Sequence, residues 1–288
     1  MVRAVSHEQI NKTAIIGIGG GTNSARSAGV FRALAEILKA REPDLVVLSS
    51  GASGNGLYHS TSQSDVLRKI WTEQISSREF LSFKRIPMMN IDFLIDHVLG
   101  TLFPLNLAKL REYSIATRMV KARKTRYGTE KDSVAPLELL RASKAMPVAY
   151  GREIPLPWGN CIDGQVGCTA QHHVTHALAR GATRIIVVDD SSDSVLTKPK
   201  KWTARVPEGV QFFHLPPKKL PGHGSLDNRK RTMEQRFDFG FEEARSNADK
   251  FLEVLGRQSK KEQGITVSRL IQELPTQVAG AGSTSGGS

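Results

Sequence analysis

The chain has 288 residues, and 39% of them are hydrophobic, which is enough to bury one sizeable core. With 40 Lys and Arg against 28 Asp and Glu, the formal net charge is +12, which favours a negatively charged partner: nucleic acid, an anionic membrane surface or an acidic substrate. The polar amino terminus and the shortness of all apolar runs predict neither a secretory signal nor a membrane span, so we expect a soluble cytoplasmic protein.

Two apolar runs, residues 14–18 and 45–48, each end in small residues, and apolar side chains recur at helical spacing between them. A strand, a glycine-rich turn, a helix and a second strand are typical of an α/β fold with a mainly parallel sheet. The later pattern predicts helices over 65–82 and 91–99, a helix before a strand over 183–190, and one long or two short helices over 232–258. Residues 109–144 and 191–231 are predicted to be irregular, with a loop or hairpin at 121–132.

The domain organisation follows from composition. Neither an internal repeat nor a clear linker interrupts the chain, so we expect one domain over residues 13–275. Residues 1–12 are then an N-terminal extension, and the low-complexity residues 276–288 are predicted to be disordered.

The first glycine cluster, Gly19, Gly20 and Gly21, lies between the first strand and the following helix. Glycines leave backbone N–H groups open to a ligand, and the helix dipole favours a negative charge there. The anion could be a phosphate, although a dinucleotide fingerprint would require a third glycine where Ser24 stands. It could also be the oxyanion of an acyl transfer, and a tight turn without a ligand is the third interpretation.

A second cluster of small residues, Gly51-Ala52-Ser53-Gly54-Asn55, follows the second strand. It fits the Gly-x-Ser-x-Gly pattern of a nucleophile elbow except at Asn55. Because parallel strands end at the same edge of a sheet, we expect Ser53 to lie beside the glycine loop, where a nucleophile would face an oxyanion hole.

Three blocks together resemble the patatin-like phospholipase family: "GIGGGTNSARSAGVFRALAEIL", "LVVLSSGASGNGLYHS" and residues 137–189, which contain Asp163-Gly164-Gln165 in place of that family's Asp-Gly-Gly or Asp-Gly-Ala. The resemblance extends over about residues 13–190. It implies a three-layer α/β/α fold with a mainly parallel central sheet.

The resemblance also implies the site. Its catalytic pair would be Ser53 and Asp163, without a catalytic histidine, a metal or a cofactor. Backbone donors to the oxyanion would come from Gly19, Gly20, Gly21 and Thr22; the elbow would include Gly51, Gly54 and Asn55; and Gly164 and Gln165 would follow the aspartate. The chain departs from the family pattern at Asn23, Ser24, Asn55 and Gln165, and these departures could reduce or narrow activity. The family usually has Arg or Lys at the position of Asn23, so a positive charge is missing from the loop, and Arg26 is a candidate to replace it.

The sequence therefore predicts a serine esterase of the phospholipase A or lipid acyl hydrolase type, which cleaves acyl esters through an acyl-enzyme. The alternative is a catalytically weak lipid- or membrane-binding protein with the same fold, and a dinucleotide-binding oxidoreductase is a third hypothesis. The headgroup, the acyl position, the chain length and the oligomeric state are not predicted.

Two further groups of residues are candidates for binding a membrane or a metal. Basic segments at 121–126, 198–201 and 228–231 predict peripheral contact with an anionic membrane, whereas nucleic acid is not expected because aromatic residues do not interleave with the charges. Cys168, His172 and His176 could share one helix face, but a fourth ligand is not evident, so no metal is expected. Cys161 and Cys168 are expected to be packing residues.

Overall fold

The structure is a computed structural model that describes residues 11–38, 43–191 and 205–256. The first strand begins at Lys12, the last residue of the predicted N-terminal extension. The predicted tail at 276–288 lies outside the described residues, as does the basic segment 198–201.

One sheet organises the fold. Its strands are β1 (Lys12–Ile18), β2 (Leu45–Ser49), β3 (Glu112–Met119), β4 (Lys124–Thr129), β5 (Ile154–Leu156), β6 (Gly159–Asp163), β7 (Ala182–Asp189) and β8 (Gln211–Leu215). Their order is β5-β6-β3-β2-β1-β7-β8, and β4 pairs with β3. The central pairs β3-β2, β2-β1, β1-β7 and β7-β8 are parallel, whereas the pairs that involve β4, β5 and β6 are antiparallel.

Helices cover both faces of this sheet. They are α1 (Ala25–Leu38), α2 (Ala52–Ser60), α3 (Leu67–Lys69), α4 (Pro136–Ser143), α5 (Ala170–Ala179), α6 (Lys230–Ser246) and α7 (Ala248–Val254), with π-helical segments at Ile70–Ile75 and Phe93–Leu102. No described helix is long and apolar enough to cross a membrane.

The core explains the layers. Side chains alternate along a strand, so in β1 Ile15 packs into the cluster under α1 and α6, while Ile16 packs into the cluster under α5. A strand buried on both faces reads as a nearly continuous apolar run, as β1 does. The predicted three-layer α/β/α fold with a mostly parallel sheet is confirmed.

Several predicted elements are corrected by tertiary structure. Residues 109–144 are not irregular, because they contain β3, the hairpin to β4, and α4. The polar residues of β3 concealed a buried strand: Ser114 bonds His176 Nε2 at 3.0 Å, and Thr117 donates to the Arg126 carbonyl at 3.2 Å.

The remaining differences concern boundaries. The helix predicted over 65–82 ends at Ile75, and the region 191–231 contains β8. The segment 232–258 forms two helices, α6 and α7, of which α6 begins at Lys230.

Candidate active site

Ser50 occupies the tight turn between β2 and α2. Its φ of 49° lies in the left-handed region, which non-glycine residues adopt rarely. Its backbone N–H donates to Ser143 Oγ at 3.0 Å, and its hydroxyl donates to Asp163 Oδ2 at 2.7 Å. A strained turn therefore directs the hydroxyl of Ser50 to a carboxylate.

Ser53, the predicted nucleophile, does not reach that carboxylate. It lies within α2, is fully buried, and donates its hydroxyl to the Ser50 carbonyl oxygen at 2.5 Å. The predicted pairing of Ser53 with Asp163 is therefore corrected: Ser50 holds that place. The reason is that α2 begins at Ala52, so the residue at the turn is the one that directly follows the strand. The end of the apolar run at Leu48 was the sequence signal for this position.

Asp163 ends strand β6 beside β3, where Thr117 is its register partner. It accepts hydrogen bonds from the Ser50 hydroxyl and from the Gln165 backbone N–H, the latter at 2.8 Å. Burial raises the pKa of Asp163 to about 6, against the opposing effects of the Gln165 N–H, the Ser50 hydroxyl and the Lys144 cation. A carboxylate with such a pKa is a better proton acceptor than one in water.

The two residues after the aspartate shape its turn. A Cβ on Gly164 would lie 1.9 Å from the Ala116 carbonyl oxygen, so only glycine fits against β3. The Gln165 side chain accepts from Ser49 Oγ at 2.9 Å and donates to the Cys168 carbonyl at 3.2 Å. Gln165 thus links the ends of β2 and β6. The glycine or alanine of the family motif has no polar side chain that could form this link.

The glycine loop packs against the elbow, as predicted, but most of its N–H groups already have partners. Gly19 donates to Ser49 O at 3.1 Å, Gly20 to Ser24 Oγ at 3.1 Å, and Thr22 to Ser225 O at 2.8 Å; these are the loop's paired donors. Within residues 11–38, 43–191 and 205–256, the N–H of Gly21 has no hydrogen-bond partner.

Gly51, directly after Ser50, is the second open donor. Its N–H has no partner in the part of the chain that the structure describes, and it lines the same cavity as Gly21 and Ser50. A Cβ on Gly51 would lie 2.6 Å from the Gly21 carbonyl oxygen, so the loop and the elbow can approach only with glycine here.

The other predicted elbow residues lie inside α2. Asn55 donates to Ser24 O at 2.8 Å and to Ser27 Oγ at 3.0 Å, and its Oδ1 accepts from Trp71 Nε1 at 2.8 Å. It therefore fixes the cavity wall to α1 instead of shaping the turn. Gly54 faces Lys144, because a Cβ there would lie 4.0 Å from the ammonium nitrogen.

Lys144, directly after α4, was missed by the sequence analysis. Its Nζ donates to Ser50 O at 2.8 Å and to Gly51 O at 3.2 Å, and only 7% of the residue is exposed. Burial lowers the pKa of Lys144 to about 8, although the Asp163 carboxylate opposes this shift. The available signal was its position after "RAS" in the third family block.

A largely apolar cavity opens in front of these groups, with an empty volume of about 400 Å³ including its mouth. Its polar lining comes from Ser50, Asp163, Lys144 and the glycine loop. The apolar walls come from both π-helical regions, the segment around Met89 and the loop after α4: Trp71, Ile75, Phe80, Met89, Ile91, Leu94 and Met146. Such a cavity can hold an apolar chain next to the serine hydroxyl.

Arg26, the candidate for a positive charge near the glycine loop, has its partners elsewhere. Arg26 is fully buried and pairs with Asp190 at 3.0 Å and Glu243 at 2.7 Å, so it does not replace a charge in the cavity. No group of three or more potential metal ligands comes together among the described residues.

The side chains considered for a metal each have another partner. His172 Nδ1 bonds Thr169 Oγ1 at 2.8 Å at the start of α5, and His176 Nε2 bonds Ser114 Oγ at 3.0 Å. Cys168 lies 3.5 Å from His173 Nε2, and both cysteines of the chain are buried and free.

Comparison with known proteins gives a distant structural similarity. No protein-family model matches the chain, and no curated protein matches it. Among solved structures, VipD from Legionella pneumophila is similar over 83% of this chain and 67% of its own, with 8% sequence identity and a TM-score of 0.40. These values are too low to support a function, which must be inferred from the geometry of the site.

Proposed function

We propose that the chain is a serine hydrolase that cleaves acyl esters of lipids, as a phospholipase A or a related lipid acyl hydrolase does. The observation that carries this proposal is the 2.7 Å hydrogen bond from the strained Ser50 to the buried Asp163, at the wall of an apolar cavity. A strained serine paired with a carboxylate of raised pKa is unusual outside functional sites. The sequence resemblance to patatin-like phospholipases supports the same chemistry, with Ser50 in place of Ser53.

The reaction begins when Asp163 accepts the Ser50 proton while Oγ attacks the ester carbonyl carbon. The tetrahedral oxyanion then accepts hydrogen bonds from the open N–H groups of Gly21 and Gly51, each worth on the order of 3 kcal/mol in acyl-transfer sites. The protonated Asp163 gives its proton to the leaving alcohol, and an acyl-enzyme forms on Ser50. Water, activated by the same carboxylate, releases the fatty acid, and the proton returns to Ser50.

The cavity walls suit the acyl chain of the substrate, and Lys144 supports the base, Asp163. The apolar walls suit an acyl chain, since they offer few polar partners beyond the reacting groups. The Lys144 ammonium holds the carbonyl oxygens of the elbow, and its charge favours the ionised form of Asp163. Lys144 is therefore a positioning residue, and the chemistry requires no cofactor.

Covalent labelling tests this proposal directly. A serine-directed fluorophosphonate should modify the folded chain, and mass spectrometry should locate the adduct on Ser50. Ser50→Ala should abolish labelling, whereas Ser53→Ala, the matched control three residues away, should retain it. An adduct on Ser53, or labelling of Ser50→Ala at the unmodified rate, would contradict the assigned nucleophile.

One observation favours the second candidate function, a catalytically weak lipid-binding protein. Three of the four predicted oxyanion donors, Gly19, Gly20 and Thr22, are already paired within the protein. The two functions differ in turnover: a hydrolase releases free acid from a short-chain ester over many cycles, whereas a lipid-binding protein retains lipid without Ser50-dependent release.

A further inference from the structure

The cavity has an exposed apolar rim. A hairpin closed by the bridge between Leu81 and Met89 carries Phe83, which is 67% exposed, and Ile86, which is 100% exposed. The loop after α4 lies beside it, because the Met89 N–H donates to the Ala149 carbonyl at 2.9 Å, and this loop exposes 69% of Val148. We call Phe83, Ile86 and Val148 the apolar rim. Side chains this large and this exposed on adjacent loops are a mark of an interaction surface.

The rim is continuous with the proposed active site. Phe80 and Met89, at the base of the hairpin, and Met146, in the neighbouring loop, all line the cavity that contains Ser50. The same two loops thus carry the exposed tip and part of the apolar wall beside the serine hydroxyl. A ligand that touches the rim would stand at the mouth of the cavity.

The tip is also basic. Lys84 is exposed and forms no ion pair within the described part of the chain. Arg85 donates to the carbonyl oxygens of Glu79, Phe80 and Pro87, so it fixes the hairpin, and it has no carboxylate partner among the residues that the structure describes. Residues 82–88 contain two cations and no acidic residue. Apolar side chains on both sides of two adjacent cations suit an anionic interface that also has an apolar interior.

We propose that the hairpin tip and Val148 form the docking surface for an anionic phospholipid membrane. Phe83, Ile86 and Val148 enter the region between headgroups and acyl chains, and Lys84 and Arg85 stay at the level of the phosphates. Docking places the cavity mouth against the lipid layer, so an acyl chain reaches Ser50 without crossing water. The catalytic meaning of this surface rests on the proposed function, but membrane binding itself does not.

Vesicle co-sedimentation of the full chain tests the surface. Phosphatidylcholine vesicles with about 30% phosphatidylglycerol are compared with pure phosphatidylcholine vesicles, at the same salt. The double variant Phe83→Ser/Ile86→Ser should bind the anionic vesicles at least about tenfold more weakly, because two large apolar side chains no longer enter the interface. Lys84→Gln alone should weaken binding about fivefold, with a smaller effect at high salt.

Matched controls separate this surface from general stickiness and charge. Phe239→Ser/Leu107→Ser removes two other exposed apolar side chains, 38% and 51% exposed, that do not line the cavity. Lys250→Gln removes an exposed cation on α7, outside the hairpin and the predicted basic segments. Both controls should bind within about twofold of the unmodified chain. Unchanged thermal unfolding shows that each variant is folded.

The outcomes are decisive in both directions. Equal loss of binding in the rim variants and their controls would overturn the proposal, as would equal binding to neutral and anionic vesicles or unimpaired binding of the rim variants. Turnover of a soluble short-chain ester by the unmodified chain is measured separately. If the ester is not turned over, the proposed hydrolase is contradicted and the docking surface is unaffected. If the ester is turned over but the rim variants bind vesicles as the unmodified chain does, the docking surface is contradicted and the hydrolase is not.

Discussion

At the scale of single residues, two serines three positions apart have opposite environments. Ser50 stands at the turn with its hydroxyl on Asp163, whereas Ser53 is buried in α2 with its hydroxyl on the Ser50 carbonyl. The first arrangement keeps a proton poised for transfer, and the second satisfies a polar group inside a helix. The two side chains can therefore be distinguished by substitution.

We expect Ser50→Ala to reduce ester turnover at least about 10³-fold, since no other hydroxyl is bonded to Asp163 among the described residues. Ser53→Ala should keep turnover within a few-fold and lower the free energy of unfolding by about 1 kcal/mol, the usual value of one hydrogen bond. Steady-state turnover and urea denaturation of both variants provide the test. The assignment fails if Ser53→Ala is the inactive variant.

The pKa of Asp163 sets a limit on the pH range of activity. A base must be ionised to accept a proton, and burial raises this pKa to about 6, so kcat/KM should fall as the pH drops below about 6. The same shift disfavours the ionised carboxylate in the folded state, so this group stabilises the fold less as the pH rises from 3.8 through 6.

Asp163→Asn should thus lower turnover about 10²- to 10⁴-fold at pH 7 without lowering the melting temperature. The amide oxygen can still accept the Gln165 N–H, and the amide nitrogen can donate to Ser50 Oγ. Turnover and thermal unfolding are measured at pH 5 and pH 7. A large drop in melting temperature would indicate instead that the aspartate mainly stabilises the turn.

At the scale of elements, the site is assembled where several segments end. The elbow joins β2 to α2, Asp163 ends β6, and the residues directly after α4 supply Lys144. Serine, carboxylate and ammonium therefore come from three parts of the chain that meet at one edge of the sheet. The Lys144 ammonium joins two of them, because it bonds the elbow carbonyls and interacts electrostatically with Asp163.

Lys144→Met should shift the acidic limb of the kcat/KM profile to a higher pH, because the cation that favours the Asp163 carboxylate is removed. Lys144→Arg retains a cation and should leave that limb near pH 6. The pH profiles of kcat/KM for the two variants are compared with that of the unmodified chain. A role in packing alone would reduce activity equally at every pH.

At the scale of the whole molecule, buried charges tie distant parts of the chain together. Arg26 in α1 is fully buried between Asp190, which follows β7, and Glu243 in α6. Arg236 in α6 is also fully buried, and it donates to Thr22 Oγ1 at 2.9 Å in the glycine loop. The loop thus keeps its shape through a helix more than two hundred positions later in the chain.

Arg26→Met should lower the free energy of unfolding by about 3 to 5 kcal/mol, since Asp190 would remain buried without its cation, while Glu243 would keep its pair with Lys218 at 2.6 Å. Arg32→Met in the same helix is the control, because its pair with Glu36 is partly exposed and worth under about 1 kcal/mol. The loss should shrink as the pH falls below 6, where Asp190, whose pKa burial raises to about 6, becomes neutral. Denaturant unfolding at pH 5 and pH 7 measures both effects.

The excess positive charge of the whole molecule is partly offset by ion pairs that the basic segments of the sequence do not reveal by themselves. In the predicted basic segments, Arg126 pairs with Asp132 at 3.0 Å and Arg229 pairs with Asp227 at 2.8 Å, so part of that charge is neutralised locally. Their contact with anionic lipid stays a prediction. The cations of the hairpin tip, by contrast, have no carboxylate partner in the described ranges and stand beside exposed apolar side chains.

Fold class and the neighbourhood of the candidate site can be read from local patterns in the amino-acid sequence. The apolar runs of β1, β2 and β7 are local signals, because a doubly buried strand must be apolar along its length. Glycine and aspartate in the three blocks located the loop, the elbow and the carboxylate for a similar reason: close backbone approach excludes a Cβ at Gly51 and Gly164.

The two serines are distinguished by the folded chain, because only one of them reaches the carboxylate. Both Ser50 and Ser53 lie among small residues, and the boundary of one turn, set by where β2 leaves the sheet and α2 begins, directs only Ser50 to Asp163. Distant residues also decide which N–H groups of the glycine loop stay open. The N–H of Thr22 donates to the carbonyl oxygen of Ser225, whereas that of Gly21 has no acceptor among the described residues. Sequence periodicity reports which face of a helix or strand is apolar, a local property, whereas hydrogen-bond partners and the burial of Lys144 depend on contacts that the chain makes only when folded.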